Sequence, residues 1–553
     1  MADNDQEWLR RVQTLRQNLM NRIVGSNIYQ SQRNLLYRFY LLTNFQRVDQ
    51  LPNLREFFRG EEIDWILAEF VKSATYDYSD NRETLINFVI RTGYKDEPEV
   101  DKDGRPLLHR TTALHHADKS CEYYRFAMVS DLFKIYDRFD ANYTDEYGYT
   151  HFHVACEFEC YEAIQQFLDL GQDPNCPVPK TGNSPLHLAL IRRHTEVAEL
   201  LLIYGADPNL ANKSGSTPLH LICEISDLEF KRLRTIPKFV DTFFKICDEK
   251  RQTVQVDVRD KSGQTPLHLA LERIKEKEAE LLLRRGANPN LANEDGSTPL
   301  HLICTRYDEN DFVETFFKII DDKHQPLEVN ARDKWGRTPL EYAVERLLPI
   351  TVDFLLDHGA DVSNFVFPNV SQSDDPPFHG GNRLMLACRV LLCAQHLEER
   401  GYELDRDDVL TMMKWYTMCD SMRVVGLSRL CEEDKNLLRE EKIMKMNTGR
   451  GLTVYDLLYL EPEEAAKRVV YKDCYDLTRS QKYNRWFSSE FREACANNLC
   501  DVLPRRHFLR WTLDPFMELI NYRLPHLPCE MILDNLNIVD LYSICLAVSG
   551  KNS

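Results

Sequence analysis

Apolar residues recur at steps of three and four through much of the chain, which is the spacing of one face of an α-helix. Near the N-terminus one such face carries Trp8, Val12, Leu15, Leu19 and Ile23. The pattern continues at residues 61–74, in apolar runs such as 197–204, and again over 383–445 and 453–500. It predicts helices along the chain and therefore an all-α fold.

A long block of this pattern occurs twice. GADPNLANKSGSTPLHLIC at 205–223 and GANPNLANEDGSTPLHLIC at 286–304 share sixteen of nineteen residues. Downstream, residues 239–250 resemble residues 312–323 in the same way. The sequence therefore predicts a duplicated block that is built from smaller units.

The smaller unit is marked by Gly-x-Thr/Ser-Pro-Leu-His or a close variant, with glycines 33, 48, 33 and 40 residues apart at Gly182, Gly215, Gly263, Gly296 and Gly336. Thr217 can cap the first amides of a helix, and Pro218 suits the first helical position because it has no N–H to leave unpaired. Gly205 follows an apolar run, where a left-handed residue commonly ends a helix. A period near 33 with this motif resembles the ankyrin repeat, a β-turn followed by two helices.

Weaker copies of the unit begin at Gly104 and Gly148, where the Thr-Pro pair is wholly or partly lost. The resemblance implies about seven to eight repeats over residues 81–364. Residues 1–80 carry no repeat motif and are predicted to form a helical cap over the apolar end of the array. The alternative for residues 1–80 is a partner-binding helical region.

Three further regions follow the predicted repeats. Residues 365–382 are dense in Pro, Ser, Asp and Gly, which predicts a linker and a domain boundary. Apolar spacing predicts a helical segment over residues 383–450. Residues 451–553 are predicted to form a C-terminal helical domain.

The C-terminal domain contains a second motif, formed by Leu527, Pro528, Glu530, Met531, Ile532, Leu536 and Leu541. It resembles the first part of an F-box. Ankyrin repeats followed by such a terminus resemble the PRANC family, which has poxviral and insect members. This resemblance implies that the motif binds the Skp-type adaptor of cullin-RING ubiquitin ligases, while the repeats hold a target protein.

In this F-box-like motif Pro528 is expected to begin a helix. Steps of four then predict that Ile532 and Leu536 share one apolar face of that helix with Pro528. The alternative is an ordinary amphipathic end that packs on residues 453–510, because proline and an acidic residue are favourable at the start of any helix.

The charge and the cysteines limit the partners and the compartment. A formal net charge of −18 argues against nucleic acid or an anionic membrane as the main partner, because both require a basic face. Sixteen cysteines without a Cys-x-x-Cys motif, and an N-terminus without the apolar run of a signal peptide, predict a reduced cytoplasmic or nuclear protein that is not secreted. The most apolar segment, 383–397, is too short for the roughly 20 apolar residues of a membrane span.

The sequence carries no pattern that indicates catalysis. His187, His220, His268 and His301 recur at one motif position, which predicts a repeated structural hydrogen bond rather than a metal site. No phosphate-binding, serine-hydrolase or zincin motif occurs in the chain. We therefore expect no enzyme, no cofactor and no metal.

The expected function is protein binding. The resemblance implies a target on the concave face of the repeats, and the residues predicted to contact it lie at the hairpin tips, namely Lys213, Ser214, Lys261, Glu294, Asp295, Lys334, Trp335 and Arg337. Trp335 stands out because Trp and Arg are typical hot-spot residues, although Trp335 could instead pack on its own inserted loop. The alternative function is a scaffold that sequesters or inhibits a signalling protein without ubiquitination.

Overall fold

The computed structural model describes residues 54–56, 58–73, 83–119, 125–225, 239–306, 312–368, 383–418, 470–480 and 503–550, with positions 10, 14, 485 and 492. Every regular element in this described part is a helix, and β pairing there is limited to three isolated bridges between residues 100 and 150. The predicted all-α fold is confirmed. The helix predicted around Trp8 lies outside the described residues, as does most of the predicted linker.

The chain forms two compact units, unit 1 (Met1–Leu282) and unit 2 (Leu283–Ser553), and the division falls within one helix. Unit 1 contains short 3-10 segments at Leu54–Glu56 and Ala113–Lys119. Its α-helices are α1 (Gly60–Ser73), α2 (Glu83–Arg91), α3 (Arg125–Phe133), α4 (His151–Glu157), α5 (Tyr161–Asp169), α6 (Pro185–Ile191), α7 (Thr195–Ile203), α8 (Pro218–Glu224), α9 (Phe239–Glu249) and α10 (Pro266–Glu272). The helix at the division is α11 (Glu276–Arg284).

Unit 2 continues the same alternation of a short and a longer helix and then changes to longer helices. Its described helices are α12 (Pro299–Cys304), α13 (Phe312–Asp322), α14 (Pro339–Glu345), α15 (Pro349–Asp357), α16 (Arg383–Glu399), α17 (Arg406–Met418), α18 (Tyr471–Arg479), α19 (Leu503–Leu519), α20 (His526–Leu533) and α21 (Ile538–Ser549).

The short helices begin and the longer helices end where the sequence predicts. Thr217 is the N-cap of α8, with extended backbone angles of φ −90° and ψ 167°, and Pro218 takes the first helical position. After α7, Gly205 has φ +94°, which is the left-handed conformation that ends a helix with little strain for glycine. The prediction that the motif marks a helix start is confirmed.

His220 and His301 each connect their own repeat to the next. Nδ1 of His220 accepts the N–H of Thr217 at 3.1 Å, and its Nε2 donates to the carbonyl oxygen of Gln264 at 3.1 Å in the following hairpin. His301 makes the same pair of bonds, to Thr298 at 3.1 Å and to the carbonyl oxygen of Arg337 at 3.2 Å. The predicted structural hydrogen bond is therefore confirmed.

The duplicated blocks have matching cores. In α9 the rings of Phe243 and Phe244 meet edge to face with centroids 5.6 Å apart, and in α13 the rings of Phe316 and Phe317 do so at 5.5 Å. All four rings are almost completely buried. Such aromatic pairs add packing energy to the burial of their large apolar area, so they stabilise both copies in the same way.

Asparagine side chains join the turns of neighbouring repeats. Asn209 donates from Nδ2 to the carbonyl oxygen of Thr253 at 2.7 Å, and its Oδ1 accepts the N–H of Gln255 at 2.7 Å. Asn290 makes the equivalent bonds to Pro326 at 2.6 Å and Glu328 at 2.8 Å. These bonds satisfy backbone groups that would otherwise lie unpaired between the repeats.

The hairpin tips of neighbouring repeats are hydrogen-bonded directly through their backbones. In unit 1 the N–H of Lys261 donates to the carbonyl oxygen of Ser214 at 2.9 Å. A Cβ atom at Gly215, where φ is +81°, would lie only 2.9 Å from the nitrogen of Lys261. Glycine is required there both by the left-handed backbone and by the close approach of the next tip.

A buried polar network connects α1 to the segments that precede α4. The guanidinium of Arg110 forms ion pairs with Asp64 and Asp96, the second at 3.0 Å. Tyr136 donates to Asp64 at 2.7 Å, and Tyr143 donates to Asp96 at 2.6 Å. Because both carboxylates are paired, the network satisfies the buried charges in this part of unit 1. A cap over residues 1–80 stays a prediction, and α1 is an α-helix among the described residues of that range.

The C-terminal helices of unit 2 share a hydrophobic cluster with the last repeat. The cluster joins Leu347, from the loop before α15, to residues of α16, α17, α18, α19 and α21. Among the described helices, α16 packs on α15, and α19 packs on α20 and α21. The boundary predicted over 365–382 stays a prediction, because residues 369–382 lie outside the described part.

We expect Gly215→Ala to lower the free energy of unfolding more than Gly205→Ala does. Both residues have positive φ, which costs an alanine about 1–2 kcal/mol. Only at Gly215 would the added Cβ also meet the backbone of the next tip, for a total of about 3 kcal/mol. Urea denaturation of the two variants measures the difference, and equal losses would show that the tips do not pack as closely as described.

We also expect the free energy of unfolding to fall as the pH is lowered below about 6.5. Burial lowers the pKa of His187, His220 and His301 in the folded protein, so the unfolded chain takes up protons that the folded chain resists. The three histidines therefore contribute fully to the free energy of unfolding above the pKa that they have in the unfolded chain. This contribution is lost as the pH falls below that value. Urea denaturation at about pH 7.5 and about pH 5.5 should show a smaller loss in the triple variant His187→Gln, His220→Gln, His301→Gln, since Gln can keep the cap bond without titrating.

Candidate protein-binding surfaces

The hairpin tips are rigid because their first side chain holds the turn. Oδ1 of Asp333 accepts the N–H of Trp335 and the N–H of Arg337, each at 2.9 Å. Asn212 holds its own tip in the same way, accepting the N–H of Ser214 at 2.9 Å and that of Ser216 at 3.0 Å. A tip fixed in this way loses little conformational entropy when it binds a partner.

In unit 2 the predicted tip residues form a compact group around Trp335. The indole ring is 59% exposed, with Nζ of Lys334 4.5 Å and Cζ of Arg337 5.9 Å from its ring centroid. Lys334 forms an ion pair with Asp295, and Glu294 is exposed on the same tip as Asp295. The structure therefore brings these predicted residues together, with two cations near an exposed aromatic ring.

Arg337 is held in place from its other side. Its Cζ lies 3.8 Å from the ring centroid of Tyr342, and its Nη1 forms an ion pair with Glu345 at 3.0 Å. Tyr342 donates from its hydroxyl to Asp333 at 2.6 Å, and burial followed by this hydrogen bond raises the pKa of Tyr342 to about 12. The hydroxyl therefore stays protonated and continues to support the tip.

In unit 1 the predicted tip residues lie on adjacent hairpins. Lys213 and Ser214 occupy one tip and Lys261 the next, and all three side chains are exposed. The backbone bond from Lys261 to Ser214 joins the two tips.

Sequence reasoning missed one exposed aromatic residue at a tip. Tyr147 is 62% exposed, and its N–H donates to Oδ1 of Asp145 at 2.9 Å, as the N–H of Trp335 does to Asp333. The signal was present in the sequence, because Asp145-Glu146-Tyr147-Gly148 aligns with the tip that carries Trp335. It was hidden because this repeat lacks the Thr-Pro pair.

The F-box-like motif has an exposed and a buried side. Leu527 is 68% exposed, Met531 61% and Ile532 40%, and Glu530 is exposed as well. Pro528 and Leu536 are half-buried, whereas Leu541 is fully buried. The first three apolar side chains are accessible to a partner, and Leu541 belongs to the core instead.

The expected helix geometry of this motif is wrong at both ends. Helix α20 begins at His526, with Pro525 as its N-cap, so Pro528 lies within the first turn rather than at the start. It ends at Leu533, before Leu536, so Leu536 does not continue the helical face. The reason is Asn537, which must be extended to cap α21 and accepts the N–H of Asp540 at 2.9 Å.

The inner side of α20 is attached to α19. Cys529 and Leu533 are buried, and Sγ of Cys529 lies 3.2 Å from Sδ of Met517. Cys529 and Leu533 are four residues apart and therefore lie on one face of α20, whereas Leu527 and Met531 lie on another face. This contact with α19 is made at Met517, outside the residues 453–510 of the alternative, and it leaves Leu527, Met531 and Ile532 exposed.

Neither a metal site nor a membrane span is found in the part of the chain that the structure describes. It contains no group of His, Cys, Asp and Glu that could hold a metal ion. Among the same residues, no helix is long and apolar enough to cross a membrane.

Comparison with known proteins identifies the repeats. The family model described as ankyrin repeats (3 copies) matches residues 121–212, 152–232, 186–293 and 274–365. The chain is 39% identical over 118 residues to BCL-6 corepressor-like protein 1 of Homo sapiens, a match that covers 21% of this chain and 6% of that protein. It is 36% identical over 107 residues to NF-kappa-B inhibitor alpha of Sus scrofa, covering 19% of this chain and 31% of that protein. The chain thus spans well under two thirds of either relative.

The solved structures that resemble the chain include the ankyrin repeat domain of Bcl-3, described as a member of the IkappaB protein family. The identity is 24% and the TM-score 0.31, and the match covers 38% of this chain and 87% of that domain. The family match falls on the segments where the structure has paired helices and hairpin tips. Within residues 121–365 this chain therefore carries ankyrin repeats.

Proposed function

We propose that the chain is a protein-binding adaptor that holds a target protein through the hairpin tips of its repeats. The observation that carries this proposal is the exposed side chain of Trp335, with the cationic groups of Lys334 and Arg337 near its ring. Trp and Arg dominate the energetic centres of protein interfaces, because both offer large contact area together with hydrogen-bond donors. The tip is already fixed by Asp333, so binding requires little further ordering.

The proposal concerns proximity rather than chemistry. A chain that holds one protein near another converts a bimolecular encounter into an effectively intramolecular one. Binding alone can also block a partner, and the relative named NF-kappa-B inhibitor alpha supports this alternative of a scaffold that sequesters a signalling protein.

Coupling to a ubiquitin ligase is the more specific candidate function. It is supported by the exposure of Leu527, Met531 and Ile532. Exposing three apolar side chains that are close in sequence to water is unfavourable unless a partner covers them. We propose that this surface docks on a Skp-type adaptor and that the target is held by the repeats. The burial of Leu541 means that Leu527, Met531 and Ile532 would supply the apolar contact.

We expect Trp335→Ala to weaken target binding by about 2 kcal/mol or more, roughly thirtyfold, because it removes the centre of the tip. Proteins that co-purify with the full chain are quantified by mass spectrometry for the wild type and the variant. The matched control is Tyr161→Ala, which removes an exposed aromatic ring from an outer helix rather than a tip. If both variants retain the same set of proteins in the same amounts, the tips do not hold the target.

We expect Ile532→Asp to abolish recovery of a Skp-type adaptor and its cullin in a pull-down with the full chain, because it places a charge in the proposed apolar contact. Ile203→Asp is the matched control, since Ile203 is 49% exposed on α7 and lies in unit 1. Target binding should be unchanged in Ile532→Asp. Absence of the adaptor even with the wild-type chain would remove the ligase role and leave the scaffold.

A further inference from the structure

Three lysines occupy equivalent positions on consecutive hairpin tips of unit 1. Lys180, Lys213 and Lys261 each come two residues before the turn glycine, and each is exposed. None of the three forms an ion pair with a carboxylate of the described residues. In unit 2, by contrast, Lys334 at the same position is neutralised by Asp295. We name this row of Lys180, Lys213 and Lys261 the lysine edge.

The lysine edge stands on a continuous backbone support. The N–H of Lys213 donates to the carbonyl oxygen of Thr181 at 2.9 Å, and the N–H of Lys261 donates to that of Ser214 at the same distance. Each bond requires glycine in the earlier tip, because a Cβ at Gly182 would lie 2.7 Å from the nitrogen of Lys213. Hydrogen bonds therefore fix the three positions relative to one another, while the long side chains remain free to adjust.

One carboxylate lies directly beside the lysine edge in the sequence, and it forms no ion pair with a lysine of the edge. The carboxylate of Asp260, beside Lys261, is engaged by the N–H groups of Ser262 and Gln264, each at 2.9 Å.

Arginines at the ends of the short helices already have acidic partners. Nε of Arg192 lies 3.0 Å from Glu157, and Arg273 lies 3.9 Å from Glu224. The tip before Lys180 carries Glu146 at the equivalent position, so the row of lysines begins at Lys180. The lysine edge is therefore a positively charged surface on a chain whose net charge is −18.

We infer that the lysine edge binds an acidic, extended segment of the target protein. This inference rests on the proposed function and specifies the chemistry of the partner. Single exposed ion pairs contribute little, but three cations on one rigid support act together on one acidic strand and also steer its approach. A protein segment is favoured over nucleic acid, because the net negative charge of the chain repels a long polyanion and tolerates a short acidic stretch at the edge.

The experiment measures binding of a fluorescein-labelled peptide in which glutamate and serine alternate, by fluorescence anisotropy with the full chain at low salt. The triple variant Lys180→Glu, Lys213→Glu, Lys261→Glu should bind this peptide at least about tenfold more weakly. The control variant Lys245→Glu, Lys250→Glu, Lys277→Glu changes the net charge equally at exposed lysines away from the tips and should bind as the wild type does. The affinity of the wild type should also fall as salt is added.

Two further probes separate the possible outcomes. A peptide with glutamine in place of glutamate should not bind, and neither should a short oligouridine. Equal losses in the two triple variants, or tighter binding of oligouridine than of the acidic peptide, would overturn the lysine edge as a site for acidic protein segments. A set of Lys→Gln variants at the same three tips, checked by circular dichroism, shows that a loss does not come from unfolding.

Failure here and failure of the proposed function give different results. If the acidic peptide does not discriminate between the two triple variants while Trp335→Ala still loses the target, the repeats bind a target and the lysine edge is not part of that contact. If Trp335→Ala and the lysine variants both leave all binding unchanged, the hairpin tips have no binding role.

Discussion

In several repeats one histidine side chain completes the backbone hydrogen bonding of two repeats. His220 accepts the N–H of Thr217 at the start of α8, and its second ring nitrogen donates to a carbonyl oxygen in the next hairpin. One imidazole thus satisfies a helix terminus and fixes the neighbouring turn, and it can do both only in the neutral form. Burial keeps that form by lowering the pKa of His220. The stacking, the rigidity of the tips and the surfaces they present all follow from these contacts between adjacent repeats.

The two candidate surfaces use this support in different ways. At the hairpin tips, a backbone bond to the preceding tip fixes Lys261, the Asp333 side chain fixes the backbone of Trp335, and both residues keep their own side chains exposed. Helix α20 both packs in the core and presents exposed side chains, since Cys529 and Leu533 are buried while Met531 is exposed. Substitutions at the tips therefore test binding with little effect on the fold, whereas α20 must be changed only on its outer side.

Local chemistry made part of the structure predictable. Pro218 and Gly205 mark a helix start and a helix end because capping depends on a few adjacent residues. The end of α20 was mispredicted because the cap at Asn537 competes with a continuous helical pattern. Leu541 is buried in α21, a helix that packs on α19 and α17, and no local pattern contains that packing.

The sequence pattern likewise could not predict contacts between residues that are far apart in the chain. Arg110 pairs with Asp64 across 46 positions of the chain, and the tip of Lys334 meets Asp295 across 39. At the tips the sequence singled out Trp335 as a distinctive residue but could not show that two cations lie near its ring. It also passed over Tyr147, because the surrounding motif is degenerate.

The two copies of the duplicated block show which positions of a repeat can vary. In the nineteen-residue stretch that occurs twice, the copies differ at three positions, and two of these lie at the hairpin tip, where Lys213 and Ser214 of one copy are replaced by Glu294 and Asp295 in the other. The buried phenylalanine pairs keep the same edge-to-face arrangement in both copies. Duplication has thus left one core bearing two tips of opposite charge, so that a single inherited framework can evolve separate specificities without rebuilding its interior.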